Sequence, residues 1–209
     1  MDSQTAERKQ AAELSYWQKL YGELVGGAAD PVDALMRVSC ERTFPRYLQD
    51  LGLQVDSFAG KLVLEVACGP NGGLNWFEDC VAIGVDELIE PYQQIGYPLW
   101  RHRVRYVAGR SEALPVADAS VDAVVMTNAL DHVEDPALTV AEIRRALRTG
   151  GVFHLDANYQ YKVTTCEPHQ FSDESLGSML EPHFDVVKVR ELDRPEQRLR
   201  QALFRCRAI

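Results

Sequence analysis

The stretch Leu62-Val63-Leu64-Glu65-Val66-Ala67-Cys68-Gly69-Pro70-Asn71-Gly72-Gly73 constrains this chain more than any other. An apolar run with an acid at its fourth place, followed by three glycines in five positions, predicts a buried strand that turns sharply into a helix. Gly69, Gly72 and Gly73 put no side chain in the way, so a flat or charged small molecule can lie against bare main-chain N–H groups. The fold this opening implies is α/β: a Rossmann-like, doubly wound sheet, mostly parallel, closed by an antiparallel C-terminal edge pair.

The rest of the chain supplies the other pieces of such a sheet. Val81-Ala82-Ile83-Gly84-Val85 is a second apolar run and ends in Asp86-Glu87, ahead of a short helix closed by Gly96. A third strand covers 104–107, and Arg101-His102-Arg103-Val104-Arg105 reads as its solvated edge. Residues 121–127 are almost continuously apolar, as a central strand covered on both faces should be. Asp135-Pro136 caps the next helix, whose buried face is expected to hold Leu138, Val140, Ile143 and Leu147, with Thr149-Gly150-Gly151 as its end. A fifth strand is expected over 152–156, an irregular loop over 157–171, a helix capped by Ser172, and two final strands near 184–189 and 199–206.

Ahead of the first strand, Ala11, Leu14, Trp17, Leu20, Tyr21 and Leu24 form one face of an amphipathic helix, and Asp30-Pro31 and Thr43-Phe44-Pro45 start two more. With 209 residues, 46% hydrophobic and 25% charged, the chain can build one packed domain. The expected division is a helical extension or lid at 1–59 and a ligand-binding domain at 60–209. Trp17 has core-like spacing, whereas Tyr16 or Tyr21 could roof a pocket.

Which ligand the glycines serve is the next question. Ala67-x-Gly69-x-x-Gly72 nearly matches a dinucleotide fingerprint, and Asp86 stands about twenty residues on, where an acid accepts hydrogen bonds from ribose hydroxyls. Glu65 tips the choice, because a carboxylate beside the glycines suits a cationic amino group and repels a pyrophosphate. Acid-x-Ala-Cys-Gly-Pro-x-Gly after an apolar strand resembles the first motif of class I S-adenosylmethionine-dependent methyltransferases, in particular the small "type 11"-like domains. The resemblance continues through Asp86, Ser111-Glu112-x-Leu-Pro, the 128–132 turn and Thr149-Gly150-Gly151, in order from residue 60 onward. It implies that Glu65, Ala67, Cys68, Gly69, Gly72, Asp86, Glu87, Ser111, Glu112, Asn128 and Ala129 bind S-adenosylmethionine, with S-adenosylhomocysteine as the product. Family members often have Asp where this chain has Arg110, and Glu112 could equally serve as a helix-start acid.

In an open parallel sheet the ligand binds where the strand order reverses, so the end of the fourth strand should face it. The imidazole of His132 could take a proton from a methyl acceptor, with Asp131 orienting it or binding the acceptor; alternatively, His132 packs beside the cofactor. Tyr16, Tyr159, Tyr161 and His169 are the candidate substrate contacts. No metal is expected: five scattered cysteines make no Cys-x-x-Cys pair, and the set Asp131, Asp156 and Asn158 is poorly placed for an ion. A net charge of -9 disfavours nucleic acid, and the lack of a long apolar run disfavours a membrane span or signal peptide. The expectation is a cytoplasmic monomer or homodimer acting on a small-molecule acceptor, a metabolite or sugar. A nicotinamide-dependent oxidoreductase and a catalytically silent cofactor-binding partner stay open as alternatives.

Overall fold

A computed structural model of the chain describes residues 3–160, 162–194 and 199–209. Seven strands form one sheet: β1 (Leu62–Val66), β2 (Val81–Asp86), β3 (Arg105–Ala108), β4 (Val121–Thr127), β5 (Leu147–Gln160), β6 (Phe184–Arg194) and β7 (Leu199–Ala208). Their order is β3-β2-β1-β4-β5-β7-β6, with β1 to β5 mutually parallel and β7 antiparallel to both β5 and β6. The chain thus winds outward from β1 to β3 and returns to lay β4 against the other side of β1. That reversal puts the carboxyl ends of β1 and β4 side by side, where the sequence placed the ligand.

Helices cover both faces. On one face α5 (Pro136–Ala146) and α6 (Asp173–Leu180) bury Val140, Ile143, Leu176 and Leu180 against Leu64, Val124, Met126, Phe153 and Leu155. On the other, α3 (Phe44–Leu51) joins Phe58, Leu74 and Phe77 over Val63, Ala82, Ala123 and Val125. A third cluster packs Trp17, Tyr21 and Leu24 of α1 (Ser3–Val25) on Leu88, Ile89, Tyr92 and Tyr97 around α4 (Ile89–Ile95). The caps read from the sequence hold: Asp30 accepts from the amides of Val32 (2.8 Å) and Asp33 (3.3 Å) at the start of α2 (Pro31–Val38), and Asp135 from that of Leu138 (3.0 Å) at α5. A π-helical turn, Ser39–Thr43, runs α2 directly into α3.

Three local expectations are corrected. The helix expected after the glycines is a single 3-10 turn, Gly73–Trp76, because Phe77 swings out in an extended conformation to bury itself against Phe44 and Phe58. Leu138 is 47% exposed and Thr139 takes the buried position, while Leu147 has already left α5 for β5. The fifth strand runs to Gln160, since its second half pairs with β7 from Val152↔Arg207 to Gln160↔Leu199; the irregular loop therefore shrinks to 162–171.

The glycine turn is closely covered. A Cβ on Gly73 would stand 2.2 Å from the Tyr47 ring of α3. Gly73→Ala is expected to cost about 1–3 kcal/mol by overpacking, measured as a lower denaturant midpoint at unchanged slope. An unchanged midpoint would mean that α3 is not seated on the turn.

Candidate active site

At the end of β1 the chain reverses through Ala67 (φ 51°), Gly69 (φ 56°) and Gly72 (φ 63°), left-handed conformations that glycine takes without strain. Asp86, at the end of β2, fixes the turn: its Oδ2 accepts the amide of Gly69 and its Oδ1 that of Leu88, both at 2.9 Å. Each oxygen keeps lone-pair capacity toward the cleft that Asp86 lines. Burial lifts this carboxyl to about 6, against the two amides that hold it down. Cys68 is buried next to it, its amide bonded to Val85 O at 3.3 Å, and burial pushes its thiol well up.

Glu65 is buried one strand turn earlier. Tyr47 donates to its Oε1 and also meets Thr127 Oγ1 at 2.9 Å, whereas Oε2 is sealed from solvent without a hydrogen bond of ordinary length. Desolvation raises this carboxyl to about 7, although the Tyr47 hydroxyl and the Leu74 amide oppose the shift. The arrangement is a buried acid, held by Tyr47 and approached by the Leu74 amide, beside a turn of bare amides.

Across the cleft, Ser111 and Glu112 line its wall, and Glu112 is engaged. Its Oε1 accepts the amides of Glu134 (2.7 Å) and Asp135 (3.1 Å) just ahead of α5, and its Oε2 accepts the Ser111 hydroxyl at 3.2 Å. The helix-start role weighed for Glu112 is therefore realised on the turn before α5. Arg110 pairs with Glu134 at 2.7 Å and helps to shape the same wall. Glu87 is held by α1, taking Gln10 Nε2 at 2.8 Å and Lys9 Nζ at 3.5 Å. Lys9 is only 5% exposed.

Beyond β4, Asn128 (φ 51°) bonds its amide to Asp156 O at 3.1 Å, and Asn158 donates to its side-chain oxygen. Gln201 in β7 donates to Asn158 Oδ1 (3.1 Å) and to both Asp156 oxygens (3.3 and 3.2 Å). Asp156 and Asn158 thus belong to a buried network that holds the Asn128 turn. Ala129 is buried in the core cluster, with its carbonyl accepting the His132 amide at 3.0 Å. Asp131 is fully buried, and His132 lines the cleft.

The substrate candidates separate. His169 lies in the 162–171 segment, its Nε2 2.9 Å from Val133 O and its ring stacked on Phe171, so it ties that segment to the turn after β4. Tyr16 is 58% exposed. Trp17 beside it covers the glycine turn instead, 3.2 Å from where a Gly69 Cβ would be. Tyr159 points into the α6 side of the sheet, where its hydroxyl donates to Asp173 at 2.5 Å; strand alternation puts Asn158, not Tyr159, on the opposite face. Tyr161 lies outside the described residues.

Sequence reasoning missed Lys9, Gln10, Glu13, Tyr47 and Thr127. The row Lys9, Glu13, Trp17 at i, i+4, i+8 carried a readable signal, since it places charge on the helix face that Trp17 buries. Tyr47 carried none, because its partner Glu65 is distant in sequence.

Comparison with known proteins bears on this geometry. Residues 64–155 match the family model described as "Methyltransferase domain". A "Probable S-adenosylmethionine-dependent methyltransferase" of Mycolicibacterium smegmatis is 37% identical over 99 residues, 46% of this chain and 37% of that protein. A demethylmenaquinone methyltransferase of Roseiflexus castenholzii is 27% identical over 145 residues, 65% of this chain and 57% of that one. The chain therefore spans between about a third and three fifths of these two relatives' lengths. Among solved structures, the Burkholderia thailandensis 1,6-didemethyltoxoflavin-N1-methyltransferase, with bound 1,6-didemethyltoxoflavin and S-adenosylhomocysteine, shares the fold at a TM-score of 0.60 and 20% identity, over 95% of this chain and 89% of its own. The strand order, the glycine turn between Glu65 and Asp86, and the match over 64–155 agree, and over that stretch this chain is similar to the methyltransferase domain of S-adenosylmethionine-dependent enzymes.

Proposed function

We propose that this chain transfers a methyl group from S-adenosylmethionine to a small-molecule acceptor. The observation that carries the reading is the buried Glu65 carboxyl beside the glycine turn, which a methionyl ammonium would hold ionised and a dinucleotide's pyrophosphate would oppose. Asp86 would hold the ribose hydroxyls with its remaining lone pairs, and Ser111 with the Glu112 backbone would line the adenine side. Lys9, Glu13 and Trp17 of α1 would close over the cofactor, making residues 1–59 a lid on the domain at 60–209.

Bound there, S-adenosylmethionine supplies a methyl group already activated on a sulfonium. The protein's part is then alignment and the exclusion of water. Asp131 and His132 stand at the turn after β4 and would promote loss of the acceptor's proton. Small-molecule acceptors fit the names of the relatives and the net charge of -9, which opposes a polyanionic substrate. No helix among the described residues is long and apolar enough to cross a membrane, and five free thiols fit a reducing, cytoplasmic setting.

Thermal unfolding with S-adenosylmethionine against NAD tests the reading. At a hundred times its dissociation constant the true ligand stabilises the fold by about 2.7 kcal/mol, a clear rise in Tm. Stabilisation by NAD alone would overturn the proposal in favour of a nicotinamide enzyme. With cofactor binding established, transfer of labelled methyl to a small-molecule extract is the expected outcome; binding with no methylated product would indicate the silent regulatory partner.

A further inference from the structure

Where the cleft meets the 162–171 segment, Asp131, His132 and Glu167 each present one ligand-type atom, and the three atoms lie within 4.8 Å of one another. They come from two separate pieces of chain: the turn after β4, and the segment before α6. Both ring nitrogens of His132 are sealed from solvent and have no hydrogen-bond partner among the described residues. Glu167 is preset by its own turn. Its Oε2 accepts the Thr164 hydroxyl, its amide donates to the same hydroxyl and its carbonyl accepts the Thr164 amide, each at 3.0 Å. Its Oε1 faces His132 Nε2 at 3.9 Å.

That separation is too long for a hydrogen bond. Two ligands bonded at about 2.0–2.2 Å to one ion stand about 3 Å apart when adjacent and up to about 4.4 Å when opposite, so 3.9 Å is within an ion's reach. A histidine acting as base is normally held by a carboxylate or carbonyl on one nitrogen while the other faces the substrate. Here neither nitrogen is held.

We propose that Asp131, His132 and Glu167 bind one divalent first-row transition ion of the manganese or zinc kind, which one imidazole and two carboxylates suit better than calcium or magnesium. Of the three residues His132 also lines the cleft, which puts the ion next to the space an acceptor would enter. The acceptor class is then a hydroxyl-bearing small molecule such as a phenol or enol; this second part rests on the methyl-transfer reading. The hydroxyl proton goes to solvent with its acidity raised by the ion. The oxygen forms the new O–C bond as the S–C bond breaks, the bonding pair stays on sulfur, and the ion keeps its oxidation state.

The test uses the full chain, stripped with EDTA and titrated with Mn2+ by loss of the free-ion paramagnetic resonance signal and with Zn2+ by calorimetry. The expected result is one ion per chain, with affinity at least tenfold weaker in Glu167→Gln and His132→Asn and unchanged in Glu78→Gln, an exposed acid beyond the other end of the sheet. Glu167 sits on an irregular surface segment, so its variant keeps the test valid where a change at the fully buried Asp131 disturbs folding. No saturable binding, or equal binding in Glu167→Gln, overturns the site. S-adenosylmethionine titrated into the same samples separates the two claims. Cofactor heat without ion binding overturns the ion site alone, and ion binding without cofactor heat overturns the acceptor assignment while supporting the site.

Discussion

Asp86→Ala is expected to weaken S-adenosylmethionine binding by about 1.5–3 kcal/mol, on the order of 10- to 100-fold, as removal of a charged hydrogen-bond acceptor does. The side chain acts twice. It offers lone pairs to the cleft, and it holds the amides of Gly69 and Leu88 at 2.9 Å, so the variant also loses order in the glycine turn. Loss of those two acceptors lowers stability, while removal of a carboxyl that burial has lifted to about 6 returns part of it at neutral pH. Calorimetry gives the affinity and a denaturant curve gives the stability. Asp86→Asn keeps one acceptor oxygen and should fall between parent and alanine in affinity. Unchanged affinity in Asp86→Ala would remove this residue from the cofactor site.

Glu65→Gln is expected to change the pH dependence of both folding and cofactor binding. Burial raises the carboxyl from 4.5 to about 7, so between those values the folded protein holds a proton that the unfolded chain has released. Stability therefore falls as pH rises through this window, by on the order of 3 kcal/mol from this group alone. Asp86 acts in the same sense. His102 and His154, lowered by burial from 6.5 to about 4, act in the opposite one, because there it is the unfolded chain that holds the extra protons. The effect must accordingly be read as the difference between variant and parent, with Glu65→Gln gaining relative stability from pH 5 to pH 8. An ammonium beside Glu65 reverses the electrostatics by favouring the ionised form. Cofactor affinity in the parent should rise with pH through about 7 with release of a proton, visible as a dependence of binding heat on the buffer's ionisation enthalpy. Glu65→Gln should bind more weakly and lose that dependence. Parallel pH profiles in the two proteins would assign the carboxylate a purely structural role.

Much of the fold was written in local patterns. The apolar runs at 62–66, 81–85 and 121–127, the caps at Asp30, Asp135 and Ser172, and the closing Gly96 each depend on neighbours a few residues away, and the structure reproduces them. The placement of Glu65, the glycines and Asp86 was legible for the same reason, since they sit at the ends of strands whose order follows from βαβ winding. Where the reading failed, distant chain decided. The helix after the glycines gave way to burial of Phe77 against Phe44 and Phe58, and β5 was lengthened by pairing with β7.

What the sequence by itself determined is the class of sheet, its switch point and the two carboxylates that flank the glycine turn, because strand period, turn chemistry and caps act over one element at a time. Only the tertiary structure decided that Tyr47 reaches Glu65, that Trp17 and not Tyr16 covers Gly69, that Tyr159 faces α6, and that Glu167 meets His132. Each of those pairings joins segments whose mutual placement is set by packing over the whole core, and no spacing along the chain encodes it.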